Sequence, residues 1–206
     1  MRTETVSTDQ LSWTPYLAVK RVADVIFSSI GIVILFLPGL LIAAVIACES
    51  RGPVLFSQRR VGRYGREFRI YKFRTMHVET PKYRSTEELE NSGQYITRVG
   101  HFLRKFSLDE LPQLINVWKG DMSLIGPRPL IAEETEIHRL RLENGVYQVR
   151  PGITGLAQIN GRDRVSTEEK VRMDREYVEH FGIVEDLGIL FATIPKLLSG
   201  EDVVER

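Results

Sequence analysis

The sequence predicts an α+β fold: one mostly helical domain with a small β-hairpin, tethered by an N-terminal membrane helix. Three observations carry this expectation: a charge-free apolar run from Val25 to Ala47, two β-rich runs flanking Gly62 and Gly65, and helical periodicity through the C-terminal half. The 206 residues have room for a single domain, and a 43% hydrophobic content supplies its core. Lys and Arg number 28 against 27 Asp and Glu, so electrostatic preference must come from local clusters rather than net charge. One cysteine, Cys48, excludes an internal disulfide, and four scattered histidines give no zinc spacing. That composition suits a reducing compartment.

Residues 1–16 are polar without periodicity and read as a loose leader. The following segment, 17–48, contains the apolar run, which as a straight helix extends ~35 Å, enough for a ~30 Å hydrocarbon core. Two features oppose a crossing. Pro38 removes a hydrogen bond in mid-run and Gly39 follows it, predicting a break into two arms too short to span. Basic residues flank both ends, with Arg2, Lys20 and Arg21 before and Arg51, Arg59, Arg60, Arg63 and Arg66 after, so both ends favour the cytoplasmic side. A re-entrant helix turning at Pro38 satisfies both; a Pro-kinked single crossing is the competing reading.

Residues 49–206 form the surface domain. Val54–Arg60 and Arg66–Phe73 read as the hairpin. His77–Tyr95 is polar and predicts a long loop of the kind that closes over sites. Val99, Phe102, Leu103 and Phe106 recur at helical spacing and predict a short helix with a buried stripe. Further helices are expected from about Asp109 to Trp118, from about Ala132 to Glu143, and after the capping box Ser166-x-x-Glu169. The glycines and proline of "VRPGITGLAQINGR", Val149–Arg162, preclude a long regular element there. The last helix carries Ile183, Leu187, Leu190, Phe191, Ile194 and Leu198 on one stripe, widened by Val184, Ile189 and Leu197, which either packs as core or lies on a bilayer.

The chemistry-bearing features are individually weak. Asp109-Glu110 at a helix start reads first as a cap, since Ser107-x-x-Glu110 matches a capping box and Asp109 is itself a good N-cap. Pro112 favours Asp109, which places the proline harmlessly in the first turn. Either register puts both carboxylates at a helix N-terminus, which favours their ionised form, and an ionised aspartate is a competent nucleophile toward phosphorus. Two such acids also suit Mg²⁺ bridging to phosphate. Seven basic residues crowd the sixteen from Arg59 to Arg74. Most suit anionic headgroups, and a nucleic-acid surface is not expected beside a membrane anchor. Lys72 and Arg74 differ by ending a strand. Arg128, between Pro127 and Pro129, is either a rigid turn with a solvent-facing side chain or a preorganised fork for phosphate.

Taken together, "QRRVGRYGREFRIYKFRTM", "SLDELPQLINVWKGDMSLIGPRP" and "VRPGITGLAQINGR", in this order after an apolar hairpin, resemble the bacterial sugar transferases known as monotopic polyprenol-phosphate phosphoglycosyl transferases. The resemblance covers about Lys20 to Leu198. It implies transfer of a phosphosugar from a UDP-sugar to undecaprenyl phosphate with release of UMP, initiating a lipid-linked glycan such as exopolysaccharide, capsule, O-antigen or a glycoprotein glycan. It also implies a covalent course, with Asp109 as nucleophile, Glu110 as its partner and Mg²⁺ at the pair. Lys72, Arg104 and Arg128 match basic positions of the family site. Arg150, Asn160 and Arg162 lie in the matching Gly-rich segment, where bracing of the loop is an equal alternative.

The implied setting is the cytoplasmic face of the bacterial inner membrane, with bilayer lipids as partners and homo-oligomers left open. Interfacial helices would hold the site at headgroup depth. One departure from the family is Leu37, where many members carry Ser before the membrane proline, so the angle of the bend is open. Competing classes are a membrane glycosyltransferase releasing UDP and a non-catalytic scaffold binding anionic lipid. The identity of the nucleotide product separates the three.

Overall fold

A computed structural model describes residues 15–80, 92–161 and 165–199. Most of the leader, the middle of the expected loop at 81–91 and Arg162 lie outside the described residues. The fold is mixed, with seven helices and two small two-stranded sheets among those residues.

Helix α1 spans Pro15–Glu49. It is long and apolar enough to cross a membrane, and little of its apolar surface is covered. Helical structure continues through Pro38 rather than splitting into two arms there. A proline removes one hydrogen bond, and the bonds on either side carry the helix past it.

One narrow face of α1 is engaged by the domain. Arg21 donates to the carbonyls of Val117 and Trp118 at 2.6 and 2.8 Å. The buried Asp24 accepts from the Ser123 hydroxyl and the Leu124 N–H, both at 3.0 Å. Gly31 admits Leu114, whose Cδ1 would stand 3.0 Å from an added Cβ, and Ile46 packs with Phe73 and Leu103. These positions recur at helical spacing along nearly the whole apolar run.

Strands β1, Leu55–Val61, and β2, Glu67–Phe73, pair antiparallel with Leu55 opposite Phe73 and Val61 opposite Glu67. The first strand of the expected hairpin is therefore displaced by one residue, and the second starts one residue later and ends as expected. Its connection folds into a tight turn at Arg63–Gly65, in which Tyr64 takes a left-handed conformation at φ 58°. Helix α2, Arg98–Lys105, is capped by Thr97, whose side chain accepts from the Gly100 N–H. Its predicted stripe is only partly buried: Leu103 is core, whereas Phe102 is exposed.

The expected helix from Asp109 to Trp118 is two pieces. A 3₁₀ turn covers Leu108–Glu110, and helix α3 runs Gln113–Lys119 with Pro112 at its N-cap. Proline has no N–H to bond backwards, so the α-helical pattern starts after it. Ser107 does not cap: its backbone is left-handed at φ 53° and its side chain makes no capping bond.

Strand β3, Ser123–Ile125, pairs parallel with β4, Gly152–Thr154. Helix α4 covers Thr135–Glu143, and α5 is the single turn Leu156–Ile159. Helix α6, Thr167–Glu179, forms the predicted Ser166–Glu169 capping box, and α7 spans Ile183–Ser199. Of the stripe on α7, Ile189 alone reaches the core among Ile183–Leu197, while Ile183, Val184, Leu187, Leu190, Phe191, Ile194 and Leu197 remain exposed. The core reading of that stripe therefore fails, because the domain offers it a surface only one residue wide.

Asn116, fully buried on α3, joins the helix to the hairpin. Its Oδ1 accepts from the Tyr71 N–H at 3.0 Å and its Nδ2 donates to the Arg69 carbonyl at 2.7 Å, satisfying a stretch of β2 that has no strand neighbour on that side. Asn116→Ala strands both backbone groups and should destabilise the protein by about 2–4 kcal/mol. Asn116→Asp keeps the acceptor but turns a buried carboxylate oxygen toward the Arg69 carbonyl and the Asp121 carboxylate, and should cost at least as much. Thermal unfolding in detergent checks the order, and an unchanged transition for Asn116→Ala would refute it.

Candidate active site

The acidic pair is positioned by a kink and a stop. The left-handed Ser107 turns the chain sharply after α2, and Pro112 starts α3, leaving Asp109 and Glu110 on the short turn between them. Adjacent residues of a regular helix diverge. On this turn both carboxylates reach one lysine. The Lys72 Nζ lies 2.7 Å from Glu110 Oε1 and 3.8 Å from Asp109 Oδ2. Lys72 comes from the end of β2, next to Phe73, which anchors that strand in the core.

Two further cations converge. Arg128 Nη2 lies 3.3 Å from Glu110 Oε1, with 41% of its side chain exposed, so its head is accessible from solvent. Arg104 on α2 donates through Nε to the Thr75 hydroxyl at 2.9 Å and contributes to the field at Asp109. The Arg128 turn is braced from behind. Arg141 donates to the Arg128 carbonyl at 2.8 Å and pairs with Asp174 at 2.5 Å, both members of the pair being buried. Glycines let β4 and the following turn close on it, since a Cβ on Gly152 would stand 2.1 Å from the Gly126 nitrogen and one on Gly155 2.1 Å from its oxygen.

Asp109 is only 8% exposed. Burial pushes its carboxyl above the ordinary aspartate range; Lys72 opposes that rise, Glu110 adds to it, and Arg104 and Arg128 oppose it. The shift runs opposite to the lowering that a helix N-terminus alone would give. Dehydration outweighs the short turn's few N–H groups.

Lys72, Arg104 and Arg128 therefore meet at the dyad as the sequence suggested, and the other named residues do not. Arg74 is turned away: its guanidinium donates to the carbonyls of Ser50 and Arg51 and to the Ser50 hydroxyl, closing the end of α1. Its spacing from Lys72 is the signal that misleads: two residues apart they would share a strand face, but β2 ends at Phe73 and Arg74 no longer follows the strand's alternation. Arg150 donates to the Gly120 carbonyl at 2.9 Å, beyond the C-terminus of α3, and Asn160 donates to the Leu156 carbonyl within its own turn. Both brace the backbone. Arg162 lies outside the described residues.

Sequence reasoning missed Arg60, grouped there with lipid-facing arginines. It is largely covered and within electrostatic reach of Arg128 and Glu110. Alternation along β1 was the available signal: Gln58 and Arg60 share the covered side, while Ser57 and Arg59 face out.

Residues 15–200 match the family described as bacterial sugar transferase. The chain is 41% identical over 191 residues to the UDP-glucose:undecaprenyl-phosphate glucose-1-phosphate transferase of Caulobacter vibrioides, which covers 89% of this chain and 71% of that relative. It is 38% identical over 193 residues to the exopolysaccharide production protein ExoY of Rhizobium meliloti, covering 85% and 84%. A third relative, the UDP-N-acetylgalactosamine-undecaprenyl-phosphate N-acetylgalactosaminephosphotransferase of Aeromonas hydrophila, is 42% identical over 193 residues, covering 90% of this chain and 45% of its own.

The electrostatics of the dyad are directly measurable. Carboxyl carbon resonances should give Asp109 a titration midpoint above the ordinary aspartate value of about 4. Lys72→Met should move that midpoint further up and Glu110→Gln should move it down. A midpoint at or below the ordinary value, or shifts of the opposite sign, would contradict the burial argument.

Proposed function

Since the chain belongs to the bacterial sugar transferase family, we propose that it transfers a sugar phosphate from a UDP-sugar to undecaprenyl phosphate, releases UMP, and so begins a lipid-linked glycan. The observation that carries this reading is the buried Asp109 beside Glu110, ringed by Lys72, Arg104 and Arg128. The relatives' names supply the substrate classes. Relatives of nearly equal identity differ in their sugar, so overall identity does not select one.

In this reading the reaction runs in two displacements. An Asp109 oxygen attacks the sugar-bearing phosphorus, the bond to the bridging oxygen breaks, and its electron pair departs with UMP. An oxygen of undecaprenyl phosphate then attacks the same phosphorus and returns Asp109 as a free carboxylate. Neither step requires a proton. Lys72, Arg104 and Arg128 hold the phosphate oxygens and offset their charge, while Glu110 fixes Lys72 and Arg128 and keeps the dyad from being a purely cationic sink. Burial raises the basicity, and with it the nucleophilicity, of Asp109.

The dyad fits Mg²⁺. That ion usually takes one or two protein carboxylates and fills its remaining positions with water and phosphate oxygens. Asp109 and Glu110 supply those two carboxylates, and the ion would add Lewis-acid polarisation of the phosphoryl group.

A membrane-surface site suits two substrates of which one is soluble and the other carries its phosphate at headgroup level. The engaged face of α1 supports a helix that does not cross. Contacts from Arg21 to Ile46 keep the polar domain alongside nearly the whole apolar run, which a bilayer-spanning helix would have to hold in lipid instead. Exposed apolar groups on α2, α3 and α7, including Phe102, Trp118 and Phe191, extend the surface that would rest at the cytoplasmic face.

Two experiments test the proposal. Wild-type enzyme should release a burst of UMP before any undecaprenyl phosphate is added, with a mass gain of one sugar phosphate. Asp109→Asn should lose that burst by about a thousandfold or more while retaining its fold. UDP as product, or no nucleotide release until the lipid arrives, would reject the covalent course. For topology, a protein with Cys48→Ser and Thr3→Cys carries one thiol near the N-terminus. It should resist a membrane-impermeant reagent in intact cells and react after the inner membrane is opened. Labelling in intact cells would establish a crossing helix.

A further inference from the structure

The seven cations between Arg59 and Arg74 fall into two sets. Four are committed to polar partners: Arg60 to Gln58, Arg63 to the Gln148 carbonyl, Lys72 to the dyad and Arg74 to the end of α1. Arg59, Arg66 and Arg69 stay exposed. Strand register sets two of these against each other, since Arg59 lies directly opposite Arg69 in the β1–β2 pair. Residues opposite one another share a face, and like charges so placed destabilise a sheet.

The face that carries the pair is turned toward α1. Side chains alternate along a strand, so Arg69, Tyr71 and Phe73 of β2 stand on one side, with Arg59, Ser57 and Leu55 opposite them. Phe73 packs against Ile46 of α1, and its Cζ stands 3.8 Å from where a Cβ on Gly39 would be. The same face continues over Tyr71, whose ring centroid lies 5.6 Å from the Lys119 Nζ. Lys119 follows Trp118, an exposed aromatic whose carbonyl accepts from Arg21 just before the apolar run. From Leu55 and Phe73 to Arg59 and Arg69 the face thus leads away from the membrane helix, apolar first and cationic last.

Two acids border this face. Glu67 lies 3.6 Å from Arg59 and Asp121 3.7 Å from Lys119, both beyond hydrogen-bond length, and exposed pairs of that kind contribute little. The Arg69 guanidinium has neither a hydrogen bond nor an ion pair among the described residues. Two arginines that repel within the fold are stabilised by an external anion, and at a membrane surface the abundant anions are lipid phosphates. The exposed Trp118 and Leu55 favour a lipid over a soluble acidic partner, because aromatic and apolar groups beside cations fit the boundary between headgroups and acyl chains.

We propose that the Arg59–Arg69 face of the hairpin, extended by Lys119, binds the headgroups of anionic phospholipids. A lipid phosphate between the two guanidiniums offsets the repulsion that the pair carries on its own. Lys72 stands on the other side of β2, so lipid binding on this face needs none of the dyad's cations. This inference rests on the membrane-surface reading above and deepens it by naming the class of lipid the domain prefers.

The test uses the full-length protein in a neutral detergent, titrated with phosphatidylglycerol or phosphatidylcholine, and reads the thermal unfolding midpoint. Phosphatidylglycerol should raise the wild-type midpoint about 4–8 °C more than equal phosphatidylcholine does. That excess should fall by about half in Arg69→Gln, and vanish when Arg59→Gln is added or when salt reaches about 0.5 M. Arg172→Gln, which removes an exposed charge from α6, should retain it. Without anionic lipid, Arg69→Gln should melt no lower than wild type, because it removes the repulsion. An undiminished excess in the double variant would overturn the inference. So would a lipid-free Arg69→Gln that melts below wild type, which would make the pair structural. Glycerol phosphate at the same concentration should give no shift, and a shift equal to the lipid's would overturn the lipid assignment in favour of a free phosphate. If wild type shows no phosphatidylglycerol excess while the Thr3→Cys thiol stays protected in intact cells, the inference fails and the membrane-surface reading stands. Labelling of that thiol removes the reading itself.

Discussion

The site is organised by the Glu110 carboxylate, which accepts Lys72 from the hairpin and Arg128 from a distant turn on the same oxygen. Largely covered charges are costly unless their partners are held in place. Much of the surrounding structure supplies that holding. Phe73 pins the strand end beside Lys72, Asn116 ties the strand to α3, and the Arg141–Asp174 pair stiffens the Arg128 turn. The same carboxylate adds to the rise in Asp109's pKa while gathering cations that oppose it. Structural cohesion and chemical tuning thus share one interaction.

The opposition between burial and cations at Asp109 has a chemical meaning. A carboxylate deep in a cationic nest would be ionised but sluggish, and one buried without cations would stay protonated. Here dehydration raises the pKa while the cations placed to receive phosphate oppose that rise. The nucleophile and the phosphate sites are therefore adjacent yet distinct. Lys72 and Arg128 lean toward Glu110, which leaves Asp109 the less heavily paired of the two acids.

Local patterns in the sequence revealed local structure well. The hairpin, α2 and the α6 cap follow from alternation, periodicity and a four-residue capping signature, all of which act within a few residues. The convergence of Lys72, Arg104 and Arg128 on Asp109-Glu110 was legible only through a resemblance spanning the chain, since no short-range rule brings them together. Arginines were the least legible residues. Arg74, Arg128 and Arg150 are chemically identical, and long-range contacts decide that one braces a helix end, another crosses to Gly120 and a third faces the dyad. The helix start at Pro112 and the exposed stripe on α7 show the same limit: periodicity describes a face, but its burial depends on what the rest of the fold places opposite.

The bonds from Arg21 and Asp24 to α3 and β3 bear on how the protein can be handled. They originate in the apolar helix but terminate on the backbone and hydroxyl of the polar domain. Cutting the chain after residue 48 would leave the C-terminal carbonyls of α3 without their guanidinium and the Ser123–Leu124 edge without its carboxylate. The hydrophobic segment is thus an integral strut of the enzyme rather than a detachable tether, and a water-soluble version calls for repainting its outward-facing apolar side chains instead of removing the helix.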